Sequence, residues 1–547
     1  LPISRPVTPG DTGGRPAPSG ARAIDLGALP IGGLVRRGAY VHTAAAGIEL
    51  FQGGDRLVPS RWPASGYATG SVAGANAAGP TVSVPGNHAS AWRGEPSLWA
   101  GGYWGADWAF ELAPVALVAP GGAAIKLAPL QGQQPPRATA RFFVENALSE
   151  LHRPGSFVVD GKRRVAIFLP TGNAPVEAAV ARSLLVFQGA RNVAVSGIAF
   201  DRTLGPAVQV NGSTDIRFAA CAFRQTGGNG VTVSGGRNVT FTGSVIASTA
   251  ETGIVLGGGD RPSLTPAGHV FANGVITDFG LESPSYRPGA NLQGDGNQLR
   301  GSYIAGGDHN AVMLSGNDHI VSGNEIANVL RDAEDSGAIY MGADWTQRGM
   351  EISGNYVHDI GGTRPTNFLT SVYLDDQFSG AHVAGNVLVG GDYGVVIAGG
   401  RDNRVEHNLI VDPRRGGIHF DARGLGKQAN RTVEFAAKLA RVPAMSPAWL
   451  ARYPALRTLT QDRYGTPDGD IAGANLVLGA PVVVADPPSV AAMLSVAGNT
   501  GSILPVSPGP SALPTMIGRV PGGATPPLAD RARDLAALMP LREVPDR

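Results

Sequence analysis

Residues 190–200 read ARNVAVSGIAF, residues 213–223 read STDIRFAACAF, and residues 236–246 read GRNVTFTGSVI. Asn192, Asp215 and Asn238 fall at matching points, 23 residues apart in both intervals. A period in the low twenties, built from short β runs and turns, is what a β-solenoid needs. One repeat cannot bury its apolar face alone, whereas stacked repeats share a continuous core. The theme returns downstream in GNQLRGSYI, NDHIVSGNEI, GMEISGNYV, GAHVAGNVL and DNRVEHNLI.

The apolar alternation specifies a parallel β-helix. In AVMLSG, AIYMGA, VYLDDQ and VVIAGG the aliphatics at alternate positions point inward while their neighbours face outward. Asn324, Asn355, Asn386 and Asn408 recur at equivalent bends, where an Asn tolerates a left-handed backbone and hydrogen-bonds the next rung. The reading is therefore all-β: a right-handed parallel β-helix with an N-terminal β-rich region and short C-terminal helical or irregular elements. Its parts are a flexible Pro/Gly/Ser-rich lead (1–25), a β-rich region with the first coils (26–183) and the core solenoid (184–430). A helical wrap (431–470) follows, then closing strands and a tail (471–547) in which PLADRARDLAALMPL has the pattern of a short amphipathic helix.

Composition excludes several function classes. Lys+Arg 44 against Asp+Glu 43 leaves a formal net charge of +1, so no overall field favours nucleic acid or an anionic membrane. No apolar run is long enough for a transmembrane helix. The single cysteine, Cys221, reads as a buried structural thiol. The lead begins without Met and resembles the start of a mature exported chain, so the expectation is a secreted or periplasmic monomer. Five of the seven tryptophans (Trp62, Trp92, Trp99, Trp104, Trp108) lie before residue 120, where core packing is the commoner use and sugar stacking the alternative.

Two consecutive coils are long. The equivalent positions Asp318, Met350 and Ala381 are 32 and 31 residues apart, and the extra residues fall in VLRDAEDSGAIYMGADWTQRG and GGTRPTNFLTSVYLDDQFSG. Insertions in a solenoid gather on one face, often the binding face. Aligning Ala311, Ala338, Ser371, Gly394 and Gly417 in one column places outward Tyr340, Tyr373 and His419 in a second column and Asp375 and Asp421 in a third. Rungs are ~4.8 Å apart, which puts Asp375 and Asp421 about 10 Å from each other.

Several acids beside Tyr and His on one strip meet the chemical requirement of glycoside hydrolysis. One carboxyl protonates the leaving oxygen while another attacks or activates water. A turn-forming Asp after a strand is the plain alternative for any one of them. His309, Arg348, Arg401 and Arg423 offer donors for hydroxyls or a uronate carboxylate, and Trp345 a sugar-stacking platform. Asp375 and Asp376 with nearby carbonyls also form the kind of oxygen cluster that calcium takes, although no EF-hand or zinc spacing is present and no cofactor is required.

The segments LFQGGDRLVPSRWPASGY, SYRPGANLQGDGNQLRGSYI, GNDHIVSGNEI, DSGAIYMGADWTQRG, VYLDDQFSG, GGRDNRVEHNLIVD and IHFDARGLG together resemble bacterial secreted β-helix proteins related to glycoside hydrolase family 141, from about residue 22 to 480. The resemblance implies action on plant cell-wall polysaccharides, including fucosidase and xylanase activities, with two catalytic aspartates. These correspond to Asp335 in DSGAIYMG and to Asp376, or its neighbour Asp375, in the double-Asp segment. Ala343 stands where the related segment often carries Arg. The functional expectation is a glycoside hydrolase using Asp335, Asp376 and Asp375, with His309, Tyr340, Trp345, Arg348, Tyr373, Arg401, His419, Asp421 and Arg423 binding substrate. The alternatives are a polysaccharide lyase acting on uronates and a non-catalytic glycan-binding protein.

Overall fold

The structure, a computed structural model, describes residues 4–31, 47–132, 134–362, 367–459 and 465–502. Three parallel sheets of eleven strands each run the length of a right-handed β-helix. Their first strands are Leu185–Gln188, Arg191–Ser196 and Ala199–Thr203, which name the first, second and third sheets below. The 23-residue repeat is visible as register: Val193 lies opposite Ile216 and Ile216 opposite Val239, with Phe218 opposite Phe241. The alternate aliphatics fill one continuous interior, in which Phe218 and Phe241 stack with ring centroids 4.7 Å apart.

Asn192, Asp215 and Asn238 do take left-handed backbone, with φ of 54°, 57° and 56°. At the other bend the chemistry is divided differently from the expectation. Gly323, Gly354, Gly385 and His407 carry the positive φ, and the Asn that follows each supplies the hydrogen bonds. Asn355 donates from its backbone N and Nδ2 to Asn386 Oδ1 (2.9 Å each), and Asn386 does the same to Asn408 (3.0 and 2.9 Å). The ladder continues through Asn475 to Asn499. Each Asn thus closes the amide groups that a bend would leave orphaned in the interior.

The rungs run past residue 430. Ile471–Gly473, Leu476–Leu478 and Val483–Asp486 form a complete further rung, and Ser495–Ala497 and Thr500–Ser502 begin another. The helices Thr432–Leu439, Pro447–Arg452 and Leu456–Leu459 therefore belong to one long insertion between a strand of the first sheet and the next strand of the second. The amphipathic segment expected at 527–541 lies outside the described residues.

The described part of the lead, from Ser4, is paired. Ser4–Pro6 pairs with Arg22–Asp25, which joins a five-stranded sheet, and Arg5 grips Asp11 through both guanidinium nitrogens (2.7 and 2.6 Å). A seven-stranded sheet follows, with Trp92, Trp104 and Phe142 in its core. Cys221 is fully buried. No described helix is long and apolar enough to cross a membrane.

Candidate active site

The site lies on the outer face of the first sheet, where strands Ser336–Gly342, Leu369–Asp375, Tyr393–Ala398 and Gly416–Asp421 stack in that order. Ile339, Val372, Val395 and Ile418 share one inward column. The adjoining outward column is Tyr340, Tyr373, Val396 and His419. Two residues further on, Gly342 lies opposite Asp375 and Ala398 opposite Asp421. The columns drawn from sequence are present. The coils from Asn324 to Asn355 and from Asn355 to Asn386 are both 31 residues, so the first is one residue shorter than the Asp318–Met350 alignment predicts.

Connections on both sides of this sheet are long, and they make the walls. Those entering from the third sheet carry Tyr286, Asp335 and Phe368. Those leaving for the second sheet carry Asp376, residues 343–350 and the helical insertion. Asp335 is exposed at the mouth of this strip, and Asp375 and Asp376 are half-buried.

The floor is a connected network. Tyr373 Oη donates to Asp335 Oδ1 (3.0 Å), and Tyr340 Oη donates to Asp375 Oδ2 (3.0 Å). The two rings meet edge to face, with centroids 5.8 Å apart. Arg423 spans two rungs: its Nη1 donates to Asp375 Oδ1 at 2.6 Å, while Nε and Nη2 donate to Asp421 at 2.8–3.1 Å. Glycines make room for both side chains. A Cβ on Gly337 would stand 2.5 Å from Tyr373 Cβ, and one on Gly399 2.7 Å from Arg423 Cγ. Asp376 is held from the other wall, accepting from Gln428 Nε2 and Arg431 Nη1 of the insertion.

Electrostatics separate these acids. Burial, reinforced by the charges of Asp376 and Asp335 and opposed by Arg423, pushes Asp375 up to about 7. Burial also acts to raise Asp421, but hydrogen bonds from His419 and Arg423 override it and hold that carboxyl well below the usual range. Burial and the charge of Asp375 push the Tyr340 hydroxyl well up, so it stays a donor. That Asp335 contributes to the shift at Asp375 places residues 40 positions apart in one electrostatic unit.

The other expected residues divide into floor, support and unrelated core. Tyr373, His419, Asp421 and Arg423 are buried beneath the strip, with His419 Nε2 3.7 Å from Asp421 Oδ2. His309 is buried against the Trp108 carbonyl and within reach of Ser336 (3.2 Å), and burial pushes it down to about 4, so it sits within the wall as a neutral ring. Trp345, expected as a sugar platform, is 2% exposed and packs among Phe435, Trp449 and Leu456, because the insertion covers it. Arg348 and Arg401 are buried as well. Arg348 donates to Asp402 (2.8 Å) in the interior, and Arg401 is buried beside Asp402 and Thr458. The oxygens that calcium would take on Asp375 and Asp376 accept instead from Arg423, Tyr340, Gln428 and Arg431. Among the described residues no group of three or more His, Cys, Asp or Glu side chains is placed to hold a metal ion.

Sequence reading did not identify Tyr286, Phe368, Gln428 or Arg431 at this strip. It also missed the N-terminal anchor, in which Tyr67 donates to Asp332 (2.7 Å) and Arg141 grips the same residue, pinning the loop that carries Asp335. None of these residues sits in the repeat. Ala343 accepts on its carbonyl from Lys438 Nζ of the insertion (2.6 Å), so a cation does reach that position from another part of the chain.

A family model described as "Right handed beta helix region" matches residues 179–266. No curated protein matches the sequence. A solved structure described as "Glycoside hydrolase" is 12% identical, with a TM-score of 0.58, over 95% of this chain and 84% of that one. The catalytic unit of a GH87 alpha-1,3-glucanase from Streptomyces thermodiastaticus is 12% identical with a TM-score of 0.31, covering 89% of this chain and 97% of that one. The Streptococcus pneumoniae surface protein and adhesin PfbA is 8% identical with a TM-score of 0.27, over 54% and 66%. The chain thus shares the fold of a glycoside hydrolase along nearly its whole length, N-terminal region included.

Proposed function

We propose that this protein is an exported glycoside hydrolase, related to family 141, that cleaves a neutral polysaccharide or oligosaccharide on the outer face of its first sheet. The observation that carries the reading is the network joining Asp335, through Tyr373, Tyr340 and Arg423, to the Asp375–Asp376 pair. It gathers carboxyls from two lengthened coils into one strip and gives them unlike environments, which is what acid and base roles require. Asp335, exposed and receiving the Tyr373 hydroxyl, is the base or nucleophile. The adjacent pair holds a proton near neutral pH, because two carboxyls side by side in a half-buried setting resist double ionisation. Asp375, the member that burial raises, is the site of that proton, its delivery to the leaving oxygen is the acid step, and Arg423 and Arg431 hold the pair in place.

The arginines weigh against a uronate substrate. Arg348, Arg401 and Arg423, the cations that a lyase would turn on a sugar carboxylate, are each buried beside aspartates. Arg431, a further cation at the strip, is held by Asp376 and Glu434, and the exposed Asp335 adds an acid that a polyanion would meet as like charge. The test is turnover on a panel of cell-wall glycans with product masses. Addition of water to the products, abolished in Asp335→Asn and Asp376→Asn, is expected. Unsaturated products without added water, or full activity in both variants, would refute the assignment.

A further inference from the structure

We propose that Trp108 and Tyr286 form a sugar-binding subsite where the N-terminal region meets the solenoid, taking the apolar face of a neutral pyranose next to the carboxylate strip. The inference rests on the glycan-hydrolase reading and adds a binding element that the carboxylates do not supply.

Of the N-terminal tryptophans, Trp92 and Trp104 are buried in the core of their own sheet, whereas Trp108 is half-buried and turned to the solenoid. Its ring meets Tyr286 edge on, with centroids 6.1 Å apart and planes at 79°. Tyr286, also half-buried, lies 5.7 Å from the Tyr340 ring, whose hydroxyl is bonded to Asp375. A run of partly exposed aromatic rings therefore leads from the N-terminal region to the acid pair. Such rings bring large apolar faces and few rotatable bonds, the combination that binds the C–H face of a sugar at low entropic cost.

Both rings are fixed by their neighbours. Asp107, preceding Trp108, is gripped by Arg137 and Arg141, and its carbonyl accepts from Glu334 N (3.3 Å) in the Asp335 loop. Phe110 N donates to Ser285 Oγ (2.9 Å), adjacent to Tyr286. Tyr286 itself holds a left-handed φ of 56°, a conformation that a tyrosine adopts only where its surroundings impose it. Domain contact alone would be served by burying these rings. Here ion pairs and hydrogen bonds around the rings also join the two regions, and although the rings touch edge on, both residues stay half-buried beside the strip. Pre-organised platforms of this kind raise affinity by reducing what must be ordered on binding.

The experiment uses the full chain carrying Asp335→Asn, so that ligands persist, and titrates it with xylohexaose, cellohexaose and a fucosylated xyloglucan oligosaccharide by calorimetry and tryptophan fluorescence. At least one probe is expected to bind and to perturb the fluorescence. Adding Trp108→Leu, which keeps apolar bulk at the domain contact, should weaken binding on the order of 10-fold and abolish the fluorescence change, with the thermal midpoint retained. Tyr286→Ala should weaken binding similarly, and Trp104→Phe, in the buried core, should leave both readouts intact. Unchanged affinity in both Trp108→Leu and Tyr286→Ala would overturn the subsite and leave the hydrolase reading standing. Absence of binding by every probe would overturn both.

Discussion

Replacing Arg423 with Met tests whether the floor of the strip is held by charge. Arg423 and Asp421 are 6% and 9% exposed at their side chains, and the guanidinium supplies one hydrogen bond to Asp421 Oδ1, two to Oδ2 and one to Asp375, while the backbone N of residue 423 donates to Oδ1 independently. Met keeps most of the volume, so the loss is mainly of compensation for two buried carboxylates. Breaking such a pair from one side costs about 3–5 kcal/mol. The sign with pH follows from the shifts. In the native protein Asp421 is held below its ordinary value, so its contribution is complete above the unfolded carboxylate pKa and is lost only as pH falls through the depressed folded one. Without Arg423 the burial that opposed this depression acts with less opposition, and Asp421 rises. Its proton is then kept by the folded state and lost by the unfolded one, so stability falls as pH increases from about 4 through the new folded value. Guanidinium midpoints at pH 5 and pH 8, with the slope m compared between proteins, should show a smaller penalty at pH 5 by at least about 1 kcal/mol. Adding Asp421→Asn should recover part of the loss, giving a coupling of about 1–3 kcal/mol. A penalty under about 1 kcal/mol, or one equal at both pH values, would refute the claim that the ion pair organises the floor.

Asp375→Asn should raise stability at pH 8 relative to pH 5 when compared with the native chain: the native carboxyl, lifted to about 7, favours the folded state below about pH 4 and loses that contribution as pH rises to 7. The basic limb of the activity profile should break near pH 7 and move in that variant; a limb that stays in place would separate the pair from the proton donor. Asn386→Ala removes bonds to Ile352 O (2.9 Å) and Asn408 Oδ1 (2.9 Å) and the acceptor for Asn355, and should cost about 2–4 kcal/mol by denaturant midpoint, since buried partners are orphaned. Cys221, fully buried, should resist a thiol reagent in the native chain and react stoichiometrically in denaturant; rapid native labelling would contradict the closed interior.

The solenoid was legible because its information is repeated. A 23-residue spacing written twice over three repeats fixes which residues stack, and column alignment then places Tyr340, Tyr373 and His419 on one face from the sequence alone. Residues off the repeat have no such ruler. Trp345, Arg348 and Arg401 were expected at the strip because they sit near it along the chain, yet the long insertion folds over the neighbouring connections and buries them. The same insertion brings Gln428 and Arg431 to Asp376 from more than 50 positions away.

This division has a physical consequence for how such a site diverges. The rungs hold Asp375, Asp421 and the two tyrosines at spacings set by backbone hydrogen bonding, so the floor cannot move without breaking the ladder. The walls are connections, whose length is only weakly penalised. Asp335 is a special case, because its loop is a wall element that the N-terminal region nonetheless clamps through Asp332 to Arg141 and Tyr67. If that clamp is what sets Asp335 against the fixed floor, Arg141→Met should lower turnover even when assayed well below its own unfolding midpoint, which falls because Asp107 and Asp332 lose a largely buried partner. Activity that survives intact would mean that the loop holds itself, and that the N-terminal region serves binding rather than chemistry.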